Sequence, residues 1–230
     1  LKSEDFTMER LNINVNGNKK LRNTENVRFM IWNLPAVKTC PFATEMCKKS
    51  CYARKAERVY PTVLPSREKN YIASLSDNFV ENMIFTIEKE LSSKKYNGKL
   101  AVFRIHESGD FYNLEYTKKW VKIARHFENN DKIVFLAYTK SLVYLIRAGY
   151  DTKEFPKNLV IRSSIWADTS TANNDYTELY NFPIYTALSR HDMTEKQNAG
   201  EKFTECRCDD CANCGKCWNN AEREIICEIH

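Results

Sequence analysis

Long apolar runs are missing from the sequence. No stretch approaches the roughly 18 to 20 consecutive apolar residues that a membrane span requires, which excludes a transmembrane helix. The stretch from Leu1 to Lys20 is polar throughout, so no export signal is expected. Glycine and proline number six each in 230 residues, too few for a collagen-like segment or a flexible linker between domains. A strong charge of one sign is also lacking: 35 basic residues against 30 acidic give +5, compatible with nucleic acid but far from the balance of a dedicated binder. What remains is ordinary for a folded protein, with 43% hydrophobic and 28% charged residues and room for one domain plus a small appendage.

The unusual feature is nine cysteines, an odd number that cannot all pair within one chain. With no export signal the expected compartment is reducing, where such thiols are metal ligands rather than disulfides. They fall into two groups. Cys40, Cys47 and Cys51 lie near one end, Cys206, Cys208, Cys211, Cys214, Cys217 and Cys227 near the other, with about 150 cysteine-free residues between. The division expected is an α/β body over residues 1–200, carrying a cysteine loop at 40–51, and a Cys-rich, ferredoxin-like, cluster-binding segment over 201–230.

Between the two groups, short β-rich runs alternate with amphipathic stretches. Five strands are predicted: Val27–Trp32, Leu100–Ile105, Ile133–Tyr138, Leu159–Ser164 and Ile184–Leu188. Helices are predicted near Ser76–Leu91, Tyr116–His126 and Leu142–Ala148, and Leu1–Glu25 is expected to fold as a hairpin around Asn16-Gly17. Strands joined by helices need crossovers and pair in parallel, so the fold class is α/β with an incomplete parallel (β/α) barrel. Such folds carry chemistry at the C-terminal ends of their strands. Those ends read Asn33-Leu34-Pro35 leading to Cys40; His106-Glu107-Ser108-Gly109-Asp110; Thr139-Lys140-Ser141; Ser163-Ser164-Ile165-Trp166; and Ser189-Arg190-His191. Lys140 and Arg162, with Tyr138, Ser141, Ser163 and Ser164, are expected in one cavity.

Cys47 and Cys51 would share a face of a helix beginning at Glu45, with Cys40 reaching in from the preceding loop. Three thiolates hold three irons of a cubane and leave the fourth open, or serve as three of four zinc ligands. In CRCDDCANCGKCW, Cys208, Cys211, Cys214 and Cys217 recur with two residues between neighbours, the spacing of a ferredoxin-type cluster. A zinc ribbon separates its CxxC pairs by roughly 15 to 20 residues. Two iron-sulfur clusters, of the [4Fe-4S] type, are therefore expected, with zinc as the alternative. Ligand choice among Cys206, Cys217 and Cys227 stays open.

The segments NLPAVKTCPFATEMCKKSCYARKAE, LPSREKN, RIHESGDFYN, AYTKS and CDDCANCGKCW together resemble the phage gene product 88 family. That resemblance implies a phage or prophage origin and the cytoplasm of an infected or lysogenic bacterium. The chain is more loosely similar to radical S-adenosylmethionine enzymes, which place three cluster cysteines after the first strand of a partial barrel and a Gly-rich acidic motif after the second. Their usual cysteine spacing is three and two residues, where this chain has six and three.

By that similarity the fold is radical-SAM-like with an iron-sulfur appendage, and S-adenosylmethionine is the candidate cosubstrate. The candidate catalytic residues are His106, Glu107, Asp110 and Lys140, and the candidate cofactor-binding residues Ser108, Gly109, Arg67 and Ser163. His106 could equally be a cluster ligand or a hydrogen-bonded strand-end residue. The function expected is a radical S-adenosylmethionine-like redox enzyme acting on a small-molecule or macromolecular substrate. The alternatives are a non-catalytic or redox-sensing iron-sulfur protein acting on a host protein, and a zinc protein that binds nucleic acid through the basic helix Lys118 to Arg125 and the tail.

Overall fold

The structure, a computed structural model, describes residues 8–206, 210–219 and 222–229. Its strands are β1 (Val27–Trp32), β2 (Leu100–Ile105), β3 (Ile133–Thr139), β4 (Leu159–Ile165), β5 (Ile184–Leu188), β6 (Thr204–Glu205) and β7 (Glu224–Glu228). The helices are α1 (Glu45–Lys49), α2 (Tyr52–Val59), α3 (Val63–Leu75), α4 (Phe79–Leu91), α5 (Leu114–His126), α6 (Leu142–Arg147), α7 (Thr171–Leu179), α8 (Arg190–Asn198) and α9 (Cys211–Cys214). All strand pairs are parallel, in the order β1-β2-β3-β4-β5-β7-β6, and the sheet curls into a half-barrel. Three of the five predicted strands have the expected bounds, and β3 and β4 run one residue further.

Alternation along the strands gives the sheet two apolar faces. Met30, Trp32, Phe103, Ile105, Phe135 and Ile161 turn toward the helices, where Phe79 of α4 and Tyr116 and Trp120 of α5 fill the outer core. Asn113 starts α5 by accepting from the Tyr116 N–H at 2.8 Å, which fixes how those aromatics enter. On the inner face, Phe29, Ile31, Val102, Leu136 and Val160 pack against Ala212, Cys211, Cys217 and Trp218. The Phe29 and Trp218 rings meet edge to face at 5.8 Å.

The Cys-rich segment is thus the crossover between β6 and β7. It folds back across the inner face, and β7 then inserts between β5 and β6. Residues 201–230, expected as an appendage, supply two strands of the main sheet. Two further expectations are corrected. Gly17 does turn at φ 72°, but among the described residues no hairpin forms around it: Asn14 instead bridges antiparallel to Ile31, at the open edge of β1. The helix beginning at Glu45 also does not run through Cys51, because α1 ends at Lys49 and Cys51 is the N-cap of α2.

Candidate functional site

At the C-terminal mouth of the half-barrel the first two strand-end loops are joined backbone to backbone. Leu34 N–H donates to Ser108 O at 2.9 Å, and Asp110 N–H to Thr39 O at 3.1 Å. Ser108 Oγ donates to Leu34 O at 2.8 Å, and Asn33 Oδ1 accepts from Ser108 N–H at 2.9 Å. Gly109 sits at φ 88°, and a Cβ there would lie 2.7 Å from both Leu34 Cβ and Thr39 Oγ1. Gly109→Ala is therefore expected to cost about 3 kcal/mol, from the left-handed backbone and the overpacking together, measurable by urea unfolding; a loss below about 1 kcal/mol would mean that the loops are not joined this way.

Asp110 anchors the third loop. One oxygen of its buried carboxylate accepts from the Thr139 hydroxyl and from Phe111 N–H at 2.7 Å; the other accepts from Lys140 N–H at 3.0 Å. Burial nevertheless holds this carboxyl above its ordinary range, with those bonds opposing. Lys140 is buried. Its ammonium donates to Ser164 Oγ at 2.9 Å and lies 5.5 Å from the centre of the Trp166 ring, while Asn173 donates to its carbonyl at 2.7 Å.

The N-terminal cysteines arrive over this mouth. Thr44 caps α1 by accepting from Cys47 N–H, and Asp168, on the loop after β4, accepts from Met46 N–H at 2.8 Å. Burial pushes the Cys40 thiol up to about 12; Asp110 adds to the rise, as do Cys47 and Cys51. Burial also raises Cys47, with Lys140 as the largest opposing influence. Asp110 thus bears on both Cys40 and Cys47, and Lys140 on Cys47. Asp168 is absent from the residues singled out in the sequence; its only signal there was its place four residues beyond Ser164 on a strand-end loop.

Of the second group, Cys211 and Cys217 pack on the inner face. The fully buried Arg162 donates five hydrogen bonds, all to backbone carbonyls: Nε to Cys217 O at 2.9 Å, Nη1 to Ile184 O at 3.3 Å and Glu222 O at 3.1 Å, and Nη2 to Lys216 O at 3.0 Å and Glu222 O at 3.1 Å. No described carboxylate pairs with it. The Tyr138 and Tyr185 rings meet edge to face, with their centres 4.5 Å apart. The Arg104 guanidinium stacks 3.7 Å over the Tyr138 ring. Burial pushes the Cys211 thiol up to about 12 and raises Cys217 and Cys227. Cys208 lies outside the described residues.

The remaining candidates are placed elsewhere. His106 turns into the outer core at φ 61°, its Nε2 2.8 Å from the Tyr116 hydroxyl, its ring edge-on to Phe111 at 5.0 Å and its Nδ1 unpaired. Arg67 donates to Ala53 O at 2.9 Å and to Glu57 at 2.8 Å, tying α3 to α2. Glu107 accepts from Asn18 and Asn33. Ser163 points to the helix side, where its hydroxyl meets Thr177 at 2.7 Å, whereas Ser164 faces the mouth. The basic helix is α5: Lys118 pairs with Glu115 at 3.0 Å, Lys119 donates to Ser74 O and Ser76 O, and Arg125 to Glu154 O.

Burial lowers the His106 imidazole to about 3, so the folded protein keeps it neutral where the unfolded chain, with an ordinary histidine, takes up a proton. This depressed group contributes stability that is lost as pH falls from about 6.5 toward 3. Between pH 7.5 and 5 it should cost the wild type about 2 kcal/mol more than His106→Asn, a replacement that tolerates the left-handed backbone. Urea unfolding of both proteins at the two pH values measures it; equal pH dependence would mean that the imidazole is not held neutral.

Do these thiols suit a metal centre? A single tetrahedral Zn²⁺, with Zn–S bonds of about 2.3 Å, draws its thiolates to roughly 3.8 Å of one another. Among the described residues no three cysteines bring their sulfurs within 4.8 Å; the one group of ligand atoms that close is His191, Asp192 and Glu195, all exposed. A cubane spreads its thiolates wider, because each binds a different iron. The eight described cysteines are free thiols. The described thiols are half-buried, and no three of them form a group close enough for a single tetrahedral zinc ion.

No helix among the described residues is long and apolar enough to cross a membrane. No solved structure matches the chain. Two curated relatives, the Gene 88 proteins of Mycobacterium phages D29 and L5, are each 34% identical over 116 residues, 46% of this chain and 46% of theirs. The chain spans about half the length of the curated relatives it matches. The family model described as Gene product 88 matches residues 10–220, which takes in every cysteine but Cys227 and every strand but β7, and the chain belongs to the gene product 88 family.

Proposed function

We propose that the chain is a redox protein with two iron-sulfur centres. A rim centre on Cys40, Cys47 and Cys51 would engage S-adenosylmethionine; a second centre would be held by the C-terminal cysteines on the inner face. The observation that carries this reading is the mouth of an all-parallel half-barrel, where Asp110 bonds the loop of Lys140 and Asp168 ties down α1, the helix that carries Cys47. A four-iron cluster with one iron lacking a protein ligand supplies a single electron and a coordination site for an amino acid's amine and carboxylate. The chain's own residues do the rest. Lys140, fixed by Ser164 and Asn173, offers a positive charge to a carboxylate or to thiolates at the mouth. Asp110 keeps the second and third loops in register. Asp168 holds α1, and with it Cys47, against the loop after β4.

A second reading, a redox sensor acting on a host protein without S-adenosylmethionine, draws support from the Ser108-Gly109 turn. Its polar groups bond the loop after β1, and Leu34 and Thr39 fill the space beside Gly109. Both readings place the protein in the cytoplasm of an infected or lysogenic bacterium. The discriminating experiment adds S-adenosylmethionine and dithionite to anaerobic protein and follows adenosine-containing products by mass spectrometry. The enzyme reading expects product from the wild type, with a loss of at least tenfold in Lys140→Met. An intact cluster signal with no product would exclude the enzyme reading and favour the sensor.

A further inference from the structure

Residues 48–60 carry five cations and a single carboxylate, and the fold turns that carboxylate away from them. We propose that the outer face of α2, with the residues on either side of it, is a docking surface for single-stranded nucleic acid. The inference goes beyond the redox reading and needs neither a metal nor a cluster.

The carboxylate, Glu57, points inward, where it accepts from Arg67 Nη1 at 2.8 Å and from Ala36 N–H at 2.8 Å. Ala53, one turn earlier, is buried on the same side, so α2 docks through Ala53 and Glu57. The opposite side is left to Arg54, Lys55 and Arg58, all exposed. At helical spacing Arg54 stands beside Arg58, and Lys55 lies between Tyr52 and Val59. Lys49 adds a fourth exposed cation at the end of α1. Among the described residues none of these four forms an ion pair or a side-chain hydrogen bond, whereas the neighbouring Lys48 is neutralised by Glu45 at 2.7 Å. The first turn of α2 holds no acidic residue, so Arg54 meets the positive end of the helix dipole unopposed, and it also repels Arg58 one turn on. Both effects weaken the helix, and an anionic partner reverses both.

Aromatic rings among the cations select a single strand. Tyr52 leaves 63% of its surface exposed while its hydroxyl donates to Glu107 O at 2.5 Å, so the ring is fixed at one end and open to solvent over most of its surface. Tyr60, at the C-cap of α2, is 59% exposed. Tyrosines set among cations give unpaired bases a surface to stack on and phosphates a charge to meet. A membrane surface asks instead for a broad apolar face, and Val59 is the one exposed aliphatic residue of α2. The other basic helix, α5, spends cations within the molecule, with Lys118 on Glu115, Lys119 on the carbonyls of Ser74 and Ser76, and Arg125 on that of Glu154. Cys51 caps α2, and Glu107 lies on the loop after β2, so a strand bound here runs beside the mouth of the half-barrel.

The test is fluorescence anisotropy of a labelled single-stranded oligonucleotide of about 16 nucleotides, titrated with the full chain at several salt concentrations. The matching duplex and vesicles of phosphatidylcholine with phosphatidylserine are titrated beside it. Arg54→Gln/Lys55→Gln/Arg58→Gln, all at exposed positions, should weaken single-strand binding at least tenfold and reduce the slope of log affinity against log salt by about 2. Tyr60→Ala should weaken it about tenfold and leave the slope unchanged. Lys118→Gln/Lys122→Gln, which removes charge from α5 instead, should change it by less than about twofold. Circular dichroism checks that each variant keeps its fold. A wild type that binds no oligonucleotide, binding untouched by the triple substitution or by Tyr60→Ala, or tighter binding to the duplex or to the vesicles would each overturn the proposal, and none of these results bears on the iron-sulfur reading.

Discussion

Replacing Arg162 by methionine is expected to destabilise the protein by about 3 to 5 kcal/mol and to release the Cys-rich crossover from the sheet. The guanidinium is fully buried on β4, and its five hydrogen bonds reach the carbonyls of Lys216, Cys217 and Glu222 in the crossover and of Ile184 at the start of β5. Methionine fills much of the volume but donates nothing, so four carbonyls lose their partner under the segment that covers Phe29, Val102 and Val160. Lysine would restore the charge without the planar fork and should recover little. Urea unfolding gives the stability, and limited proteolysis between residues 206 and 223 reports release of the crossover. A loss under 1 kcal/mol with an uncut crossover would show that Arg162 does not clamp it.

Asp110→Ala is the second large effect, about 3 kcal/mol in stability together with loss of any activity at the mouth. The carboxylate accepts from the Thr139 hydroxyl, Phe111 N–H and Lys140 N–H, all in buried surroundings, and alanine strands all three donors. It also frees the loop that carries Lys140, so the ammonium loses its fixed approach to Ser164 and to the rim thiols. Asp110→Asn separates the two consequences. Its amide oxygen can still accept from Thr139 and Phe111, but its NH₂ faces the Lys140 N–H, donor to donor. The asparagine variant should therefore fold with about half the alanine penalty and still lose activity. Full activity in Asp110→Asn would remove Asp110 from the site.

The body of the fold was legible because its strands are apolar on both faces and bounded by polar loops. VRFMIW, LAVFRI and IYTAL could be assigned with their observed limits. The last two strands were not: β6 is two residues long, and β7 reads EIICE, which the surrounding cysteine pattern masked. Strand alternation also had more to say than was drawn from it. On β4 it separates Arg162 and Ser164 from Ser163, which faces α7 and bonds Thr177, so the three could never share one cavity. The rim residues Asp110 and Lys140 could be found because they end successive parallel strands. Arg162 as a clamp could not, since its partners are backbone carbonyls 22 to 60 residues away, which no side-chain pattern encodes. Of the readings open for His106, the structure shows the hydrogen-bonded strand-end residue, because the left-handed backbone turns it into the outer core beside Tyr116.

The central claim is that the two thiol groups hold iron-sulfur clusters. Its most direct test is the iron, acid-labile sulfide and zinc content, with the visible spectrum, of anaerobically purified wild type and Cys40→Ser. The account predicts a brown protein with about eight irons per chain, falling by about half in Cys40→Ser. A colourless protein carrying about one or two zinc ions and no sulfide would contradict it.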